Sequence, residues 1–94
     1  MEIADRAFIA QRNGGQALQL FEAAYRLEFE AAQQTHEEPS RSVLYRSAAT
    51  LALHAQLYRE AEKADALGLA GEAPAEIADE LREVLKLIFQ NIVA

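Results

Sequence analysis

Apolar residues recur along this 94-residue chain at three- and four-residue steps, and no segment sustains the alternation of a strand. Tyr45, Ala48, Ala49 and Ala52 fall at i, i+3, i+4 and i+7, one face of a helix, and three of the four are alanines that admit a close neighbour. Ala61 and Ala64 continue the small-residue pattern in the next segment. Leu81, Val84, Leu85 and Ile88 repeat the spacing with larger side chains. Between Gln16 and Gln34 two stripes interleave: Leu20, Ala24, Leu27 and Ala31 on one side, Leu18, Phe21, Tyr25 and Phe29 on another. A helix apolar on two sides is expected to lie between neighbours. Breakers divide the chain at Asn13-Gly14-Gly15, at the polar stretch Thr35 to Ser40 with its Pro39, and from Gly68 to Pro74, where Pro74 suits the first turn of a last helix. A softer break at Gln56-Leu57 has no breaker residue. The spacing predicts about five helices, over 2–12, 16–34, 40–54, 58–69 and 75–92, with Ser40 or Ser42 capping the third. The expected fold class is all-α, in one domain spanning residues 1–94.

The run Tyr45-x2-Ala48-Ala49-x2-Ala52, followed twelve residues after Ala49 by Tyr58-Arg59-Glu60-Ala61, resembles one tetratricopeptide repeat. In that family a large residue and small ones mark the first helix, and Ala with a bulky residue marks the second. Gly15 to Ala24 resembles the second helix of an earlier copy, with Ala17, Phe21 and Ala24 in register and Met1, Ala4, Asp5 and Phe8 on the packing face before it. The last helix resembles a capping first helix. Asp65 stands where the family prefers an aromatic, and Asp5 stands at a small-residue position. The resemblance implies stacked antiparallel hairpins and a groove lined by their first helices. Carried over by position, the groove residues are Arg46, Thr50, Leu53 and His54 in the middle unit; Glu2, Arg6, Ile9 and Ala10 in the first; and Asp79, Arg82, Lys86 and Phe89 in the cap. An unrelated antiparallel bundle, or one of the microtubule-interacting-and-trafficking type, shares the same helix packing.

Composition narrows the function classes. Twenty alanines against ten β-branched Val, Ile and Thr favour helix over sheet. The absence of cysteine excludes disulfides, thiol catalysis and cysteine-ligated zinc. A formal charge of −6 argues against a nucleic-acid partner, whose footprint is basic. No window approaches the roughly 20 apolar residues of a membrane span. Met1-Glu2-Ile3-Ala4-Asp5-Arg6 carries neither the basic nor the apolar region of a signal peptide. The expected compartment is the cytoplasm.

Candidate chemistry is sparse. His36-Glu37-Glu38 are adjacent, so they converge on one ion only if a loop wraps it. His54 has Leu57 and Tyr58, not ligands, at i+3 and i+4. Ser42 and Ser47 have no evident base, Gly14-Gly15 lacks the other parts of a phosphate loop, and the pairs Glu60/Glu62 and Asp79/Glu83 read as solvated faces. Neither an enzyme nor a resident metal or cofactor is expected. Arg6, Arg46, Arg82 and Lys86 would place four of the nine basic residues on one surface, suited to a peptide's carboxylates. The same residues also sit at helical spacing from Glu2, Asp79 and Glu83, as ordinary ion pairs do. The C-terminal helix carries more apolar residues than one stripe can bury; the surplus at Leu87, Phe89, Ile92 and Val93 predicts a homodimer interface, with Phe89 folding back on the second helix as the alternative. The expected function is a protein- or peptide-binding module that is not catalytic. The alternative is a small helical subunit or regulator of a larger enzyme or toxin complex.

Overall fold

The computed structural model describes residues 16–93, which form four helices: α1 (Ala17–Gln33), α2 (Ser40–His54), α3 (Tyr58–Leu69) and α4 (Ala75–Val93). No strand occurs among the described residues. These match four of the five expected ranges to within a residue at each end. The expected helix over 2–12, and with it Glu2, Arg6, Ile9 and Ala10, lies outside the described residues.

α2 is the hub. It packs on α1, α3 and α4, and α3 packs on α4. Phe21 of α1 stacks near His54 at the end of α2, while Phe29 meets Tyr45 earlier in α2, so α1 and α2 run antiparallel. At the opposite end of the molecule, Arg41 in the first turn of α2 donates to the Leu67 carbonyl near the end of α3, at 2.7 Å, so α2 and α3 are antiparallel too. The same guanidinium lies over the following turn, where a Cβ at Gly71 would collide with it.

Small residues make the close packing possible. Ala48, Ala49, Ala52, Ala61 and Ala64 are all fully buried, with Tyr45 and Phe21 as the large members of the same core. Gly68 belongs to this seam: a Cβ there would come within 3.1 Å of Leu81 on α4 and of the Tyr45 Cβ on α2. Leu81 and Ile88 bring α4 into the core. The expected enclosure of α1 on both sides is met on one. Phe21, Ala24, Tyr25 and Ala32 are buried, whereas Leu18 and Leu27 remain about half exposed, at 47% and 49%.

The start of α2 is built differently from expectation, while its end falls at the expected break. Neither Ser40 nor Ser42 caps α2 through its hydroxyl. The Glu38 carboxylate, one residue before Pro39, accepts the Ser42 N–H at 2.9 Å, and the Ser42 hydroxyl donates to the Pro39 carbonyl. A carboxylate placed there satisfies an unpaired amide and meets the positive end of the helix dipole. Burial pushes the Glu38 carboxyl up, but the Ser42 N–H and the Arg41 guanidinium outweigh it and hold it below the usual carboxylate range. Just past the end of α2, Gln56 takes a φ of 63°, in the left-handed region. Leu57 N–H reaches the Ala52 carbonyl and Gln56 N–H the Leu53 carbonyl, which together form a Schellman motif on a residue other than glycine.

Candidate functional site

The expected groove residues divide between two helices and two environments. On α2, Arg46 is half-buried and paired with Glu80 of α4, so it serves as a tie between helices. Thr50 donates its hydroxyl to the Arg46 carbonyl at 3.0 Å. Leu53 packs against the core from its edge, and the His54 ring stacks on Phe21 with centroids 5.1 Å apart. On α4, Arg82 pairs with Asp79 at 3.0 Å and Lys86 with Glu83 at 3.2 Å, all four side chains well exposed.

Arg82 and Arg46 do not meet. Glu80, which Arg46 reaches, lies about 160° around the helix axis from Arg82. The expected basic patch therefore resolves into a structural tie on one flank of α4 and a separate pair of cations on the other. Arg6, its fourth expected member, lies outside the described residues.

The second flank of α4 forms a depression of about 360 Å³ lined by Arg82, Leu85, Lys86, Phe89 and Gln90. Leu85 and Phe89 supply an apolar floor, and the two cations and the Gln90 amide form its margin. Phe89 is 59% exposed, the largest apolar side chain on that flank. It does not fold back into the core. Of the other expected interface residues, Ile92 is 38% exposed on the Phe89 side, Leu87 is 49% exposed about 160° away from Phe89, and Val93 closes the helix. The sequence spacing places Leu85 on the core stripe with Leu81, Val84 and Ile88 and does not single out Gln90. Their spacing from Phe89 and Lys86, four residues each, was the available signal.

Among the described residues, no three of His, Cys, Asp or Glu come together as metal ligands. The Ser42 side chain is fully buried and its hydroxyl is engaged with Pro39. Asp65 is the one carboxylate with an unusual setting: it is fully enclosed on α3, neither oxygen has a hydrogen-bond partner among the described residues, and burial pushes its carboxyl up from 3.8 to about 7. The depression on α4 is not lined by it. The flank of α4 that carries Arg82, Leu85, Lys86, Phe89 and Gln90 is an amphipathic helix face.

In comparison with known proteins, the chain matches no family model, and no curated protein or solved structure gives a match. No helix among the described residues is long and apolar enough to cross a membrane.

Proposed function

We propose that this chain is a non-catalytic protein–protein interaction module, a tetratricopeptide-like helical stack that engages its partner through the second flank of α4. The observation that carries the reading is the depression over Leu85 and Phe89 with Arg82 and Lys86 at its margin. An exposed aromatic ringed by exchangeable charges is the usual composition of a contact hot spot. The ion pairs of Arg82 and Lys86 are exposed and contribute about 0.5 kcal/mol each, so both cations can turn to a partner's carboxylates at small cost.

The stacked-hairpin reading is supported by the packing order. α2 touches the helix before it and both helices after it, and its contact face toward them is the Tyr45, Ala48, Ala49, Ala52 stripe. In such a stack a first helix with no successor leaves open the flank on which the next unit would sit. α4 occupies that position. Arg46, Thr50, Leu53 and His54 then act mainly by fixing α2 against α1 and α4.

The test is retention of a partner by the immobilised full chain and by its Phe89→Glu variant. The expected result is a protein held by the native chain and lost by the variant, with the two circular dichroism spectra alike. Identical retention by both would contradict the assignment of this flank.

A further inference from the structure

Two apolar stripes run along α4. The first, Ile77, Leu81, Val84 and Ile88, faces the body of the molecule, with Leu81 and Ile88 fully buried. The second is Ala75, Ala78, Arg82, Leu85, Phe89 and Ile92, spaced by steps of three, four, three, four and three residues. That alternation is the seam of a helix that packs lengthwise on another helix. Along it Ala78 and Leu85 are half-buried and the other four are exposed. Arg82 is the only member that is not apolar.

The second stripe is graded in size and α4 is graded in charge. Its small residues, Ala75 and Ala78, lie in the N-terminal half and its large ones, Leu85, Phe89 and Ile92, in the C-terminal half. The acids Glu76, Asp79, Glu80 and Glu83 crowd the first half, Arg82 and Lys86 sit at mid-helix, and no charged residue follows Lys86. A surface with those gradients complements its own reversed copy.

Resting on the interaction-module reading above, we propose that the occupant of this flank is a second copy of the chain, with the two α4 helices antiparallel about a two-fold axis. In that arrangement Ala78 receives the partner's Phe89, Ala75 receives the partner's Ile92, and Arg82 lies beside the partner's Leu85, each contact made twice. Lys86 comes opposite the partner's Asp79, and the acidic half of each helix lies along the uncharged half of the other. The parallel alternative sets Arg82 against Arg82 and Asp79 near Asp79, and leaves a void between facing alanines. Like charges opposed cost binding energy, and a void leaves its lining without contacts on one side. The antiparallel pairing is isologous and closed, so it ends at a dimer. A contact confined to one helix from each chain lies at the low end of specific interfaces, below about 1,200 Å² in total.

Sedimentation equilibrium of the purified full chain from about 5 to 500 µM tests this. The expected mass rises from the 10.4 kDa of one chain toward twice that value. Phe89→Glu is expected to weaken association at least about tenfold. Leu87→Glu, about half exposed but on the other flank, is expected to leave it unchanged. Asp79→Lys and Lys86→Glu should each weaken the dimer, and the double variant should restore it. Because the chain has no cysteine, orientation can be read directly: mixed Ala75→Cys and Ile92→Cys proteins should cross-link to each other under mild oxidation. A single-chain mass at every concentration, a dimer insensitive to Phe89→Glu, or Ala75→Cys protein linking to itself would each overturn the proposal. A native chain that stays monomeric yet holds a different protein in a Phe89-dependent way overturns the second-copy assignment and leaves the module reading standing. Absence of both overturns both.

Discussion

Asp65 carries the clearest energetic signature of any single residue. It is sealed among Ala61, Ala64 and Gly68 on the buried side of α3, with no cation or donor on its oxygens among the described residues. Burial alone raises its carboxyl from 3.8 to about 7; no charge on α2 or α4, such as Arg41, Arg46, Glu80 or Arg82, enters as a cause. The unfolded chain therefore releases this proton near pH 4, while the folded chain keeps it until about pH 7. Between those values the folded state binds more protons, so stability falls as pH rises and levels off above 7. Linkage puts the size of that loss at about 4 kcal/mol. Chemical denaturation of the native chain and of Asp65→Asn at pH 5 and pH 8 checks it. The native chain should lose most of this difference between the two pH values, and the variant should lose little. Parallel pH profiles would show that the carboxyl is hydrated or paired in solution. Burial of Asp65 was legible in part, because it follows Ala61 and Ala64 on a face of small residues. Its lack of a partner was not, since hydrogen-bond geometry depends on what α2 and α4 bring alongside.

At the scale of elements, the helix boundaries were written in the sequence wherever a breaker stands. Gly68 to Pro74 and Thr35 to Pro39 gave the ends of α3 and α1 because those residues bend the backbone in any context. The turn after α2 had no such mark, yet it is as sharp as the others. There Gln56 takes a left-handed conformation that costs an L-residue about 1 kcal/mol, and the burial of Ala52 and Ala55 on one side and the packing of Leu57 on the other hold it in place. Gln56→Gly should relieve that strain and raise stability by about 0.5–1 kcal/mol, measurable as an upward shift of the thermal midpoint. An unchanged or lowered midpoint would mean that the Gln56 side chain itself stabilises the turn. The cap of α2 shows the same division. Serine at a helix start is a good sequence rule, but the Glu38 carboxylate reaches the Ser42 amide first because Pro39 turns the chain back toward it.

Taken together, the described residues form a set of close-packed helices, and the last of them carries apolar side chains that stay exposed. α3 has 12 residues and α4 has 19, and among the described residues Ile88 is the last of α4 with no exposure. Phe89 and Ile92 lie beyond or beside that point. The surplus of apolar residues in α4 was visible from sequence counting alone. Which of them share a flank was not visible until Leu81 and Ile88 fixed the rotation of the helix, and that rotation separates Leu87 from Phe89 and Arg46 from Arg82. A composition-based view groups these residues together; the packed helix sorts them into an inner tie and an outer seam.

The most direct test of the account is the solvent accessibility of the Phe89 and Leu87 side chains, read by hydroxyl-radical labelling of the full chain as its concentration is raised. Burial of the outer seam of α4 predicts that Phe89 becomes progressively protected while Leu87 labels at the same rate throughout. Equal labelling of Phe89 in dilute and concentrated protein, or protection of both residues together, would contradict it.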